Sequence, residues 1–441
     1  MTIKVIQRLG LLLVAGTGLW AQGSLTVTDA IRKAWVDQAG LKAGQAMVDS
    51  KKAEAEGYRD LRLPTLTLQA QGVRTDEPMM AFGIKLNQAR IGMADFNPLT
   101  LNHPDPIGAY GGSAVLQQPL YTGGRITAAR RAGEFMAEAE AASQERRKQE
   151  TALAVVQAYF GAEVAEQALK WVGDTEAWVQ GMEDFVGARV KQGLMLESEL
   201  LRLKAFHAQV DAQKAEVIMQ IRSARSGLGL LTGTGPVEGT LATPIELPKE
   251  QVPAAPAGAA GRRGDLIAAD LQAKAAGEGA KAARGNNLPE VGLELGAGTL
   301  HHSWSEKGNW TWAGVGVKWK VFSAPDLAKA RAARAQERAA KDMRSFKEQQ
   351  AEHEVRVASE GVKAAEARYA AAKDALAAAE ESRRLREARH KEGLAPLIDV
   401  LDAEAAVQGA RTLMLQSLYE LRVSRASLDL ANGTPIEGVQ P

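Results

Sequence analysis

The sequence predicts a mainly α-helical protein with a small β part, built from one structural unit that occurs twice. Three observations predict this class. The chain of 441 residues is rich in alanine, leucine and charged residues, and only 5% of it is aromatic, as expected of long helices. Two segments without proline, roughly 124–191 and 326–391, would form helices about 100 Å long. Segments of alternating polarity precede both of them and predict strands.

The first 23 residues predict a secretory signal peptide. Lys4 and Arg8 precede an apolar run at 11–15, and small residues follow near 21 and 23. The run is shorter than the roughly 20 residues that a helix needs to cross a bilayer. No other segment is a candidate membrane helix. A membrane location would therefore require a β-barrel, since helices and closed barrels alone satisfy every backbone group in lipid.

A comparison of the sequence with itself at an offset of 200 residues indicates a duplication. Residues 188–194 match residues 388–394, and the match continues without a gap. Matching positions include Glu166 with Glu366, Arg222 with Arg422, Arg225 with Arg425, and Gly233 with Gly433. We predict a first structural repeat at 24–235, a linker rich in proline, glycine and alanine at 236–264, and a second structural repeat at 265–441.

Each repeat contains a helix, two strands around a loop, and two long helices. Leu66, Leu68 and Ala70 alternate with polar residues in the first repeat. The second repeat alternates at 291–296 and again at 315–321. Trp310 and Trp312, at the start of the last strand, favour the aromatic girdle of a membrane barrel. A soluble hairpin with exposed tryptophans is the alternative.

A glycine followed by leucine separates the two long helices of each repeat. Gly193 and Gly393 occupy the same place in the two halves. Apolar residues after each glycine recur at intervals of three, four and seven, which is the spacing of a coiled-coil seam. We therefore predict two antiparallel helical hairpins with their tips at these glycines.

Four strands per chain cannot close a membrane barrel, because known barrels of this kind have about eight strands or more. Open edges would leave unpaired backbone groups in lipid. The strands are therefore expected to contribute to a shared β-barrel of identical chains. Two copies suffice arithmetically, and three give a wider lumen. The hairpins would continue the barrel as an α-helical tube.

Three runs of residues resemble the TolC family of outer-membrane efflux proteins. They are Gln-Pro-Leu-Tyr-Thr-Gly-Gly-Arg at 118–125, Lys-Glu-Gly-Leu at 391–394 and Ile-Asp-Val-Leu-Asp-Ala at 398–403. The resemblance implies a homotrimer in outer-membrane lipid with a large periplasmic part. It also implies a passive exit duct of a tripartite efflux or type I secretion system, which docks to a periplasmic adaptor and an inner-membrane pump.

The resemblance extends to individual positions. Asp399 and Asp402 match the acids that narrow the family's periplasmic pore entrance, and Glu199 is their counterpart in the first repeat. The tips that contact the adaptor correspond to Gly193, Leu194, Gly393 and Leu394. Two positions depart from the family pattern, because His390 replaces a tyrosine of the closing network and Ala395 replaces an arginine.

Other function classes find little support in the sequence. Cysteine is absent, which excludes disulfides and thiolate metal sites. The 54 basic residues balance 53 acidic ones, and this near-neutral charge argues against nucleic-acid binding. The six histidines are scattered, so we expect no metal, no cofactor and no catalytic site. Asp399 and Asp402 alone would also suit a solvated helix face. A periplasmic adaptor and a structural coiled-coil protein are the alternatives, but they do not explain two hairpins together with strands. The exported substrate is not predicted, and the loop at 75–106 is long enough to cap the outer mouth.

Overall fold

The computed structural model describes residues 24–246, 263–302 and 308–439. The predicted signal peptide and most of the predicted linker lie outside these ranges. The first repeat contains α1 (Val27–Asp37), α2 (Ala39–Asp60), β1 (Thr65–Thr75), α3 (Pro78–Asn87), a 3-10 turn (Met93–Phe96), α4 (Pro98–Asn102), β2 (Ile107–Thr122), α5 (Arg125–Lys191) and α6 (Glu197–Thr232). The second repeat contains α7 (Gly264–Gly285), β3 (Glu290–His301), β4 (Asn309–Lys318), α8 (Ala324–Lys391) and α9 (Leu397–Asn432).

The four strands form one antiparallel sheet in the order β1-β2-β3-β4. The two predicted strand pairs are therefore confirmed, and they join through β2 and β3. The alternation of the last strand was predicted to continue to residue 321, but β4 ends at Lys318. Lys318 pairs with Glu290, the first residue of β3, so the chain beyond it has no neighbouring strand to bond.

The two long helices have the predicted length. Helix α5 has 67 residues and α8 has 68, which gives about 100 Å for each at the α-helical rise. Gly123 and Gly124, both with positive φ, turn the chain from β2 into α5. Ser323 begins α8 as its N-cap and accepts a hydrogen bond from the Asp326 backbone. Within the described ranges, no helix has both the length and the apolar character to cross a bilayer.

The largest apolar core lies midway along the long helices. Tyr159 and Phe160 of α5 are fully buried there, among residues from α1, α6 and α9. Leu25 forms a bridge with Leu241, and the Tyr159 hydroxyl donates to the Leu25 carbonyl at 2.7 Å. The described part of the predicted linker, residues 236–246, thus packs against this core.

The duplication also appears in the ion pairs. Arg225 contacts Glu166 at 2.6 Å in the first repeat, and Arg425 contacts Glu366 at 2.9 Å in the second. Both pairs join residues 59 positions apart. The ion pair therefore joins α5 to α6 in the first repeat and α8 to α9 in the second, at the same level of each hairpin. The limits of the two repeats remain a prediction.

Candidate functional site

The four-stranded sheet has one polar and one apolar face. Residues directly opposite each other in an antiparallel pair lie on the same face, so the register assigns every side chain to one of the two faces of the sheet. One face carries Thr65, Thr67, Gln69, Gln71, Ser113, Gln117, Glu290, Glu294 and Lys318. The Gln117 amide donates to the Glu294 carboxylate at 3.2 Å across this face. This surface suits contact with water.

The opposite face is mainly apolar, with polar residues such as Arg74, Gln118, Thr299 and Asn309 near its two ends. It carries Leu66, Leu68, Ala70, Ala114, Leu116, Leu293, Leu295, Ala297, Ala313, Val315 and Val317. Several of these side chains are exposed in the single chain, and Val317 is 68% exposed. A sheet with water on one side and hydrocarbon on the other has this distribution of side chains.

The two tryptophans of β4 lie on the polar face. Trp310 packs over Gly298 and Trp312 over Gly296, where an added Cβ would collide with the indole rings. The prediction that these tryptophans join a lipid-facing girdle is therefore wrong. The reason is register, because residues 310 and 312 share the parity of Lys318 and point away from the apolar face.

Aromatic residues suited to a membrane interface instead follow β4. Trp319 and Phe322 are exposed there, beside Lys318 and Lys320. Exposed aromatic rings next to lysines are typical of the boundary between lipid and water. The sequence contained this signal, but the alternation led us to place Trp319 inside the strand.

The predicted tips are tight turns at the far ends of the long helices. Gly193 and Gly393 have φ of 73° and 79°, a conformation that favours glycine. Leu194 and Leu394 follow them and are 65% and 64% exposed. These four residues therefore project two similar surfaces into solvent.

The two tips lie side by side. Arg189, near the end of α5, donates a hydrogen bond to the Lys391 carbonyl at the end of α8, at 3.4 Å. The end of one hairpin is thus tied to the end of the other. A partner that contacts one tip therefore meets the other on the same chain.

The predicted entrance acids lie just beyond the tips. Asp399 is in the first turn of α9, and Asp402 follows one turn later and is exposed. Glu199 occupies the same place in the first turn of α6. None of these three carboxylates forms an ion pair with another part of the chain that the structure describes. They are therefore available to neighbouring chains or to ions.

The two positions that depart from the family pattern contact each other. His390 is buried, and its Nδ1 donates to the Ala395 carbonyl at 2.8 Å. The ring also packs edge-on against Phe185 of the first hairpin, with 6.3 Å between the ring centroids. The His390 side chain thus bonds the backbone of the second tip at Ala395 and packs the tip against α5.

A buried carboxylate that the sequence did not indicate lies above the entrance acids. Glu404 of α9 has no exposed surface, and it pairs with Arg383 of α8 at 2.7 Å. It also accepts a hydrogen bond from the Thr175 hydroxyl of α5 at 3.1 Å. One side chain thus joins three helices. Its setting in an Ala-Glu-Ala-Ala run at 403–406 resembles any exposed helix position, so no local signal could have identified it.

No group of three or more His, Asp or Glu side chains is arranged for metal binding in the described ranges. His301 and His302, which are adjacent in the sequence, both form hydrogen bonds. His301 contacts the Thr299 hydroxyl at 2.7 Å, and His302 donates to the Gly108 carbonyl at 3.0 Å.

Comparisons with known proteins agree with this geometry. The model of the family described as "Outer membrane efflux protein" matches residues 30–234 and 256–434, which is most of the chain. The match spans both hairpins and all four strands. No curated protein sequence matches the chain.

Solved structures share the fold at low identity. A membrane protein from Pseudomonas aeruginosa is 18% identical, with a TM-score of 0.80 over 92% of both chains. The outer membrane protein VceC from Vibrio cholerae is 19% identical, with a TM-score of 0.78 over 93% of this chain and 96% of VceC. The open-state MtrE outer membrane channel of Neisseria gonorrhoeae is 19% identical, with a TM-score of 0.77 over 94% of this chain and 90% of MtrE.

Proposed function

Because the chain belongs to the outer membrane efflux protein family, we propose that it works as a homotrimer, the exit conduit of a tripartite efflux or type I secretion system. Family membership confirms the predicted location in the outer membrane and the predicted role as an efflux channel. The family consists of conduits rather than enzymes, and we infer that the chain catalyses no reaction.

The open amphipathic sheet is the observation that supports a trimer. Its edge strands β1 and β4 leave backbone groups that lipid cannot satisfy. Three copies placed edge to edge give twelve strands, with Val315 and Val317 toward lipid and Gln69 and Glu294 toward the lumen. Helices α5 and α8 then extend the lumen by about 100 Å into the periplasm.

The acids beyond the tips form the narrow entrance in this proposal. A threefold axis would gather six carboxylates from Asp399 and Asp402 around the pore. Crowded carboxylates attract cations and select for them. Glu199 contributes less, since its side chain is longer and less fixed.

The exposed tips are the proposed docking surface for the periplasmic adaptor. Each chain presents two of them, at Gly193–Leu194 and Gly393–Leu394, so a trimer presents six similar surfaces. An inner-membrane pump would then connect to the conduit through the adaptor. Neither an adaptor role nor a purely structural role for this chain is favoured by any contact described above.

The assembly can be tested in outer-membrane fractions. We expect the chain to resist extraction by high salt and to migrate as a trimer in detergent until it is heated. A strain that lacks the gene should become sensitive to the exported compounds and recover when the gene is restored. A monomer released by high salt would contradict the proposal.

A further inference from the structure

The segment between β1 and β2 folds back onto the polar face of the sheet. Ala81 and Ile84 of α3 are buried against Ile107, Ala109 and Leu300. Val73 packs against the same cluster. The chain between the strands is therefore anchored to the sheet by its own small apolar core.

The register shows which face and which end of the sheet α3 covers. Val73 pairs with Ala109, and Gly111 pairs with both Gln71 and Leu300, so these residues share the face of Gln69 and Glu294. All four strands connect to the helical part of the molecule at their opposite end. Helix α3 thus covers the polar face at the end far from the long helices.

Among the described residues, nothing covers the side of α3 that points away from the sheet, and the large side chains on it are apolar. Met79 is 80% exposed and Leu86 is 57% exposed. At 100° per residue both lie roughly opposite Ala81 and Ile84. Gly83 lies between them, and an added Cβ there would meet nothing within 4 Å. This stripe of Met79, Gly83 and Leu86 is the uncovered face of α3.

Two contacts fix the position of α3. Lys85 pairs with Asp95 of the 3-10 turn at 2.9 Å. Phe82 packs edge-on against Phe96, with ring centroids 6.0 Å apart. The segment after α3 thus braces the helix from one side while the sheet supports it from the other.

The dimensions of a shared barrel indicate what the uncovered face of α3 contacts, namely the α3 helices of the other copies. Strands about 4.8 Å apart and tilted by about 40° give a twelve-stranded barrel a backbone radius of about 12 Å. Three helices, each about 10 Å across, touch one another inside a circle with a radius of about 11 Å. Three copies of α3 on the inner wall would therefore meet at the axis.

We propose that the uncovered face of α3 binds the same face of the two other copies in the trimer, and that these three helices close the outer mouth of the pore. This inference rests on the proposed trimer. Gly83 permits close approach of the helices, while Met79 and Leu86 supply apolar contact. The rest of the segment at 76–106 holds each helix at the wall.

Cross-linking tests the contact directly, because the chain contains no cysteine. Leu86→Cys should give covalent dimers in most trimers after treatment of outer membranes with a short bis-maleimide. Val36→Cys is the matched control. Val36 is an exposed apolar residue of α1, which packs midway along α5, far from the sheet, so it should give no dimers above background.

Conductance tests the closure. In planar bilayers, Met79→Glu combined with Leu86→Glu places six carboxylates at the axis, and their repulsion should raise the conductance at least twofold. Val36→Glu should leave the conductance unchanged. The heat-sensitive trimer band checks that each variant assembles.

The outcomes separate the two proposals. An intact trimer without Leu86→Cys dimers overturns the inference and leaves the proposed function standing. An intact trimer whose conductance does not rise with the two glutamates also overturns it. Absence of the trimer in the unaltered protein overturns the proposed function, and the inference falls with it.

Discussion

A lysine on the apolar face of β4 should destabilise the trimer by an amount that depends on depth. Strand β4 has 10 residues. With a rise of about 3.4 Å per residue and a tilt of about 40°, it spans about 26 Å, close to the apolar band of about 25 Å in membrane barrels. Val315 then lies about 4 Å from the middle of the band and Val317 about 9 Å from it.

Lysine costs about 2–4 kcal/mol at the midplane and about 0–1 kcal/mol near the interface. We therefore expect Val315→Lys to lower the free energy of unfolding by about 2–4 kcal/mol per chain and Val317→Lys by about 1 kcal/mol. Gly316→Lys is the matched control. It lies between them on the polar face, and an added Cβ there has no neighbour within 4 Å.

Urea titration of trimers reconstituted in lipid vesicles measures these differences, with the trimer band as a second readout. The expected order of destabilisation is Val315→Lys, then Val317→Lys, then Gly316→Lys. If Gly316→Lys destabilises the trimer as much as Val315→Lys, the assignment of the two faces is wrong. If Val317→Lys is the most damaging, the assigned depth is wrong.

Three further predictions concern the tips, the entrance and the end of α9. Replacing Gly193 and Gly393 with valine forces a branched side chain into positive φ, so export should fail while the trimer band persists; loss of the trimer as well would make these glycines folding elements. Asp399→Asn with Asp402→Asn should weaken cation selectivity and block by multivalent cations in planar bilayers, and unchanged selectivity would return both residues to a solvated helix face. Burial raises the pKa of the Asp429 carboxyl from 3.8 to about 6. Below pH 3.8 the carboxyl is neutral in both the folded and the unfolded chain, so the folded protein keeps its full stability. As the pH rises through 6 the folded protein must hold a charged carboxylate in a buried place, and stability is lost. Asp429→Asn should therefore raise the melting temperature at pH 7.5 relative to the unaltered protein but not at pH 3.5, and an equal shift at both pH values would contradict this.

The sequence predicted those features that long-range regularity determines. The segments without proline became α5 and α8, and the duplicated glycines became the tips at Gly193 and Gly393. Such features depend on backbone preferences repeated over many residues. A helical hairpin can therefore be predicted from its own segment, without information on distant parts of the chain.

Features that depend on the register between strands or on packing between distant segments were missed. Alternation alone does not say which face of a strand meets lipid, so the placement of Trp310 and Trp312 required the register with β3. Helix α3 has only 10 residues, and its burial depends on residues from three strands. Glu404 is buried by α5 and α8, which lie far from it in sequence or across the tip.

The buried residues of α8 have a mechanical consequence for the second hairpin. Among the described residues this helix buries four alanines, Asp326 and His390, but no large aliphatic side chain. Helix α5 buries valines, a methionine, Tyr159 and Phe160. Small side chains interlock less deeply than large ones, so sliding α8 along its neighbours sacrifices little dispersion energy. Within one chain we therefore expect α8 to slide along its neighbours more easily than α5 does.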